Sequence, residues 1–119
     1  MNRVFVRTHE FDKCWGKFGL TEDDIIALEE HLCVNPQAGV VIPGTGGLRK
    51  LRWALPNQGK SGSIRVVYVD FLCYDKLYLI SAYPKNEKEN LTNEEKNEIK
   101  KLIKQLGEEV RKNSKKRKK

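Results

Sequence analysis

The stretch GTGGLRKLRWALPNQGKSGSIRVVY, residues 44–68, decides the fold. It begins with glycines, then places two runs of strand-forming residues on either side of the polar segment PNQGKSG. Such runs, joined by a short loop rich in Gly and Pro, predict an antiparallel pair of strands. A period of two puts Lys50 and Arg52 on one face of the first strand, and Leu51 and Trp53 on the other, toward a core.

The same stretch is strongly cationic. Between residues 31 and 69 the chain has five basic residues and no Asp or Glu, whereas acids and bases are interleaved elsewhere. The last nine residues, Arg111–Lys119, carry seven more positive charges, as many as the net charge of +7 of the whole chain. The rest of the chain is therefore neutral overall but polarised, and its basic face is suited to an anionic partner.

Length and composition bound the class of protein. The 119 residues predict one domain, residues 1–110, followed by a basic, disordered tail, residues 111–119. We expect a cytoplasmic protein without membrane contact, because no apolar run approaches the ~20 residues of a membrane helix and no signal peptide is evident. The three cysteines and two histidines lack metal-ligand spacing, so we expect free thiols, no metal and no cofactor.

The patterning along the chain predicts an α+β fold in the order β-α-α-β-β-β-α. We expect a small antiparallel sheet with the helices packed on one face, so that the opposite face is free to carry the cations. Thr21 and Thr92 are the expected N-caps of two helices. The predicted strands are Arg3–Arg7, Leu48–Leu55, Ser63–Leu72 and Leu77–Tyr83, and the predicted helices are Glu10–Phe18, Glu22–Val34 and Asn93–Val110.

The connector Gln37–Gly47 ends in a glycine-rich segment that invites comparison with a phosphate-binding loop. Such a loop needs Gly-Lys-Ser/Thr at the start of a helix. A strand follows here, so a tight turn that uses glycine's conformational freedom is the favoured interpretation.

Cations on neighbouring strands could bind RNA or cut it. Cleavage without a metal makes the ribose 2′-hydroxyl attack the adjacent phosphorus, and it needs a base, a cationic clamp and an acid for the leaving 5′-oxygen. Lysine can act as the base where neighbouring cations and partial burial favour its neutral form. Lys50 beside Arg52 fits that setting, and Arg65 is a cation in an otherwise apolar strand. A basic face that only binds phosphate remains the alternative.

Three segments resemble the RelE/HigB family of bacterial toxins, and more narrowly its HigB-type branch: IPGTGGLRKLRWA, GKSGSIRVVYVDF and LYLISAYPKNEKENLTNEEKNEIKKLI. The resemblance implies a RelE-like fold and a toxin that is silenced by a cognate antitoxin. It also implies entry into the A site of a translating ribosome and cleavage of the mRNA there without a metal. The implied partners are the ribosome, mRNA and a helix-turn-helix antitoxin, with operator DNA bound only through the antitoxin complex.

The resemblance also assigns site residues. It implies that Lys50 is the base, helped by Arg52, that Arg65 clamps the phosphate, and that Lys85 stabilises charge or protonates the leaving group. Several family members place a Tyr or His after the last strand, but the segment KNEKENLT has neither, so the identities of acid and base stay open. Further RNA contacts are predicted at Arg49, Lys60, Tyr83, Lys115, Lys116 and Arg117.

Two other functions are compatible with the same chain. One is a gyrase-inhibiting toxin of the same fold; that type lacks the catalytic cations, so the presence of Lys50, Arg52, Arg65 and Lys85 argues against it. The other is an RNA-binding module that uses the basic face without cleavage.

The orientation of the Tyr68 side chain is also left open by the sequence, because a tyrosine in the third predicted strand could face either the site or the core.

Overall fold

The computed structural model describes residues 4–54, 63–84 and 91–117, without the side chains of residue 73 and residues 114–117. Within these residues, one five-stranded sheet packs with three α-helices, and the α+β class is confirmed. The strands are β1 (Val4–Arg7), β2 (Val40–Val41), β3 (Arg49–Ala54), β4 (Ser63–Phe71) and β5 (Lys76–Pro84), and the helices are α1 (His9–Lys17), α2 (Glu22–Val34) and α3 (Asn93–Arg117).

The strand order in the sheet is β1-β5-β4-β3-β2. Strands β2 to β5 form the antiparallel part, and β3, β4 and β5 follow one another as the predicted meander. The expectation of a wholly antiparallel sheet is wrong at one edge, because β1 pairs with β5 in parallel. Backbone hydrogen bonds from Val4 N–H to the Asp75 carbonyl (2.8 Å) and from Thr8 N–H to the Leu79 carbonyl (3.1 Å) fix this pairing at its two ends.

Helices pack on both faces of the sheet, so the prediction of helices on one face is wrong. Val66 and Tyr68 of β4 belong to the core cluster that also contains buried residues of α1 and α2. Val67 and Val69 point the other way and pack with Ile103 of α3. Both faces of this central strand are apolar, so each face needs a cover. The predicted cations therefore share their face with α3.

The predicted N-caps of α2 and α3 are found in the structure, whereas the predicted C-terminus of α3 is not. Thr21 and Asp24 form the capping box of α2. At α3, the Thr92 N–H donates to Glu95 Oε1 (2.9 Å) and the Glu95 N–H donates to Thr92 Oγ1 (3.1 Å). The predicted end of α3 at Val110 is wrong, because the helix continues to Arg117. Lys and Arg favour helix and suit the negative end of its dipole.

In the part of the chain that the structure describes, no helix has the length and apolar character needed to cross a membrane.

A buried tyrosine anchors the segment before β2. The Tyr68 hydroxyl donates to the Pro36 carbonyl (2.8 Å) and accepts from the Gly39 N–H (2.9 Å). Gly39 leaves no space for a side chain, since a Cβ there would lie 2.9 Å from Tyr68 Cε1 and 3.0 Å from the Lys50 carbonyl oxygen. Val40 then pairs with Lys50, so the anchor sets the position of β2 beside β3. Tyr68 is thus a core residue. The connector Gln37–Gly47 contains the short strand β2.

Candidate functional site

One row of side chains crosses three adjacent strands. Arg52 of β3 is the cross-strand partner of Arg65 of β4, which is in turn the partner of Tyr83 of β5. Directly paired residues project from the same face of a sheet, with Cβ atoms roughly 5 Å apart. Lys50 lies two residues from Arg52 and shares this face. The strand register therefore brings together four of the predicted site residues.

Three of these residues line a single cavity of about 360 Å³. We call it the cationic cavity; its lining consists of Lys50, Arg52 and Arg65 with Ala38, Val40 and Leu51. Arg52 is exposed, whereas Lys50 and Arg65 are half-buried. Among the described residues, no carboxylate belongs to this lining. The cavity is therefore a concave surface of concentrated positive charge.

Arg65 has an unused hydrogen-bond donor. Its Nη1 atom is buried and has no hydrogen-bond partner within the described residues. A buried donor without an acceptor costs roughly 1–3 kcal/mol, and more when the group is charged. The cross-strand neighbour of Arg65 is a second arginine, which offers no acceptor from its side chain. An anion in the cationic cavity would supply the missing acceptor through charge-assisted hydrogen bonds.

Arg7 shows how a cation of this protein is satisfied elsewhere. Its Nη1 donates to Glu22 Oε2 at 2.9 Å, and its Nε lies 3.5 Å from Asp12 Oδ1. The hydrogen bond that Arg7 donates to Glu22 raises the pKa of Arg7 above its ordinary value. Across the described ranges, Lys50, Arg52 and Arg65 have no comparable ion pair. Within the described residues, the site cations thus have no carboxylate partner, whereas Arg7 has two.

A second cavity of about 330 Å³ adjoins the first one. We call it the apolar cavity, because its walls are mainly the aliphatic side chains of residues 40–43 and Leu91. Its polar lining residues are Lys50, Tyr83 and Lys96. Lys50 and Val40 line both cavities, so the two are contiguous.

Sequence reasoning missed Lys96 and the contribution of residues 40–43. The signal for Lys96 was present, because the capping box at Thr92 starts α3 soon after β5 and places Lys96 in its first turns. For the two-residue strand β2 the sequence offers no periodicity, because a strand of that length cannot show an alternation. Its place depends on the contact between Gly39 and Tyr68.

Arg49 does not belong to the cluster. It precedes Lys50, so it lies on the opposite face of β3, where it is the cross-strand partner of Tyr68. Its Nη1 donates to the Gly39 carbonyl at 2.8 Å. This guanidinium therefore helps to hold the segment before β2, and the structure does not bring it to the cavities.

The remaining predicted contacts are only partly described. Lys60 and Lys85 lie outside the described residues. Lys115, Lys116 and Arg117 belong to the last turns of α3, and their side chains are among those not described.

A cationic cavity on a mixed sheet with helices on both faces defines a small α+β protein with a concave surface suited to anions. Among known protein families, the RelE toxin of the RelE/RelB toxin–antitoxin system matches residues 3–117. The chain therefore belongs to the RelE toxin family, and that prediction is confirmed. It is the toxin of a toxin–antitoxin pair, and its partner is a cognate antitoxin. Toxins of this family are generally endoribonucleases that inhibit translation.

Proposed function

We propose that this toxin is a ribosome-dependent endoribonuclease that cuts mRNA in the ribosomal A site. The observation that carries the proposal is the buried Nη1 of Arg65, which has no hydrogen-bond partner among the described residues, at a cavity that Lys50 and Arg52 also line. A phosphate of the RNA backbone has the charge and the acceptor oxygens that this cavity lacks. The family of the chain makes RNA the expected source of that phosphate.

In the proposed reaction, the 2′-oxygen of one ribose attacks the adjacent phosphorus and the bond to the 5′-oxygen of the next nucleotide breaks. Lys50 is the proposed base that takes the proton of the 2′-hydroxyl. Arg52 lies two residues away on the same face of β3 and adds positive charge beside the reacting phosphate.

Arg65 acts as the clamp for the phosphorane. Negative charge develops on the non-bridging oxygens as the 2′-oxygen adds, and a preorganised guanidinium stabilises that charge better than mobile water does. The strand position of Arg65, between β3 and β5, holds it rigidly for this purpose. Lys85, which the family resemblance assigns, is proposed to stabilise charge or to protonate the leaving 5′-oxygen.

The proposed chemistry uses no metal ion. The three cations of the cationic cavity would repel a divalent cation, and its described lining residues include no carboxylate to bind one. The arginines instead supply the positive charge that a metal supplies in other nucleases. The HigB-type branch of the family is our proposed placement, on the motifs quoted above.

The proposed partners are the ribosome with its mRNA in the cytoplasm and a helix-turn-helix antitoxin that binds the operator DNA within the complex. Residues 115–117 and Lys60 are proposed to add contacts to ribosomal RNA phosphates. Such contacts weaken steeply as the salt concentration rises.

The test is cleavage of a defined mRNA on translating ribosomes by purified toxin, with 5′ ends mapped after short incubation. Arg65→Ala should lower the cleavage rate by about 10²–10³, the usual cost of removing one preorganised donor. Arg65→Lys should recover only part of it, because lysine cannot bind bidentately. Lys13→Ala, an exposed substitution on α1, is the matched control and should cut normally. Full activity in Arg65→Ala would remove the proposed clamp.

Assays of the same purified toxin also distinguish the proposed nuclease from the two alternative functions. Ribosome binding without new 5′ ends would identify an RNA-binding module without nuclease activity. Inhibition of DNA supercoiling with intact mRNA would identify a gyrase-inhibiting toxin.

A further inference from the structure

We infer that the apolar cavity is a nucleobase subsite, and that Lys96 makes it select guanine and uracil, which have a keto oxygen at C6 of the purine or C4 of the pyrimidine, over adenine and cytosine, which have an amino group there. The inference rests on the proposed function, because it assumes that the strand bound beside it is RNA. It adds a specificity residue on α3 that neither the strand register nor the family motifs supply.

The position of the cavity carries the first step. Lys50 and Val40 line both cavities, so the two are neighbours. A phosphate held by Arg65 in the cationic cavity therefore leaves the neighbouring nucleotide over the apolar cavity. Tyr83 is the cross-strand partner of Arg65 and also lines the apolar cavity. The bound RNA would therefore pass from one cavity to the other at the side chain of Tyr83.

The chemistry of the lining carries the second step. Residues 40–43 and Leu91 are unsuited to a phosphate but suited to the flat, weakly polar face of a base. The ring of Tyr83 adds an aromatic surface, and stacking of one base on such a surface is worth roughly 1–3 kcal/mol. At about 330 Å³, the cavity has space for a base.

Lys96 carries the third step. It is half-buried on the first turns of α3, and its stem lies against the glycine turn, since a Cβ on Gly44 would be 3.6 Å from Lys96 Cδ. An ammonium group only donates hydrogen bonds. It is therefore attracted to guanine O6 or uracil O4, and it is mismatched with the N6 and N4 amino groups that adenine and cytosine present at the same positions.

The test uses ribosome-bound messages in which each position of one codon is varied among the four bases. Wild-type toxin should cut keto-base messages faster than amino-base messages at one fixed position, by about five-fold or more. Lys96→Met keeps an unbranched apolar stem without the charge and should lose that preference while it still cuts. Lys96→Arg should retain the preference, and Lys101→Met, an exposed change on the same helix, should behave like wild type.

Failure of this subsite differs from failure of the proposed function. If wild-type toxin cuts mRNA without a keto preference at any position, or if Lys96→Met keeps that preference, the subsite is refuted and the nuclease stands. If wild-type toxin cuts nothing, the nuclease is refuted, and binding of 2′-O-methyl dinucleotides followed by NMR decides the subsite. Tighter binding of keto than amino dinucleotides, lost in Lys96→Met, then supports it, and equal binding refutes it.

Discussion

Arg52 and Arg65 are direct cross-strand partners, so two guanidinium groups stand opposite each other on the same face of the sheet. Like charges in this position destabilise a pair of strands. Among the described residues no carboxylate compensates either of them, and Arg65 also carries a buried, unpartnered Nη1. The arrangement costs stability in the free protein and becomes favourable when an anion lies between the two side chains.

The first prediction concerns Arg52→Thr. Threonine favours strands, and its introduction removes the repulsion, so the free energy of unfolding should rise by roughly 0.2–1 kcal/mol. The rate of mRNA cleavage should fall roughly ten-fold or more, because one cation of the proposed site is lost. Urea denaturation and the cleavage assay measure the two effects. Arg7→Thr is the contrasting control, because it breaks contacts with Glu22 and Asp12 and should lower stability. A less stable Arg52→Thr variant would contradict the repulsion argument.

The second prediction concerns inorganic phosphate. Binding to the folded state raises stability by RT ln(1 + [L]/Kd), which is about 2.7 kcal/mol at a hundred-fold excess over Kd. The midpoint of thermal unfolding should therefore rise with phosphate in wild type and clearly less in Arg65→Ala. Phosphate also stabilises proteins by exclusion from their surface. That contribution is common to both proteins and to Lys13→Ala, so equal shifts in all three would show that the cavity does not bind phosphate.

The third prediction concerns Gly39→Ala. The new Cβ would lie 2.9 Å from Tyr68 Cε1 and 3.0 Å from the Lys50 carbonyl oxygen, so the backbone must move. We expect a loss of about 1–3 kcal/mol of stability from this overpacking. Cleavage should also fall, because β2 and the wall of both cavities follow Gly39. Gly16→Ala is the control: its Cβ would meet nothing within 4 Å, and alanine favours the interior of α1. A harmless Gly39→Ala substitution would contradict this close contact.

The fourth prediction concerns alkaline pH. Burial raises the pKa of Tyr68 above its ordinary value, and the hydrogen bond from Gly39 and the charge of Arg49 oppose this only in part. The folded state therefore holds the phenol proton more tightly than the unfolded state, whose tyrosine titrates near pH ~10. The associated stability is complete below that pH and is lost as the pH rises through the folded-state pKa. Urea unfolding between about pH 9 and 11 measures it.

Tyr68→Phe tests this assignment. The variant should weaken the alkaline loss of stability, and at neutral pH it should cost about 1–3 kcal/mol, because the Gly39 N–H and the Pro36 carbonyl lose their partner. Burial also raises the pKa of Tyr78, so Tyr78→Phe should remove a separate part of the pH dependence. An unchanged alkaline profile in Tyr68→Phe would place the titration elsewhere.

Local signals predicted much of the fold. The limits of α2 at Glu22 and Val34 agree with the structure, because a capping box starts the helix and Asn35-Pro36 ends it. The alternation of side chains along β3 correctly predicted that Lys50 and Arg52 lie on one face of the strand and Leu51 on the other, because one face of this strand is buried.

The errors concern features that depend on distant contacts. The parallel position of β1 beside β5 is set by pairing across some seventy residues of chain, as in Val4 with Lys76. The place of α3 depends on which face of β4 the first two helices leave uncovered. Arg49 has a structural role because its guanidinium donates a hydrogen bond to the Gly39 carbonyl. That carbonyl lies in a segment whose sequence has no hydrophobic periodicity, so the contact could not be predicted. In the site, the register made the cluster predictable, whereas Lys96 comes from another element and was missed.

The register of the central strands also has a consequence for control of the toxin. Lys50, Arg52, Arg65 and Tyr83 project from hydrogen-bonded strands, and three of them form one row across the sheet. The backbones that carry these four side chains cannot move apart without breaking the sheet. We therefore expect control of the toxin to come from its antitoxin partner rather than from a rearrangement of these strands.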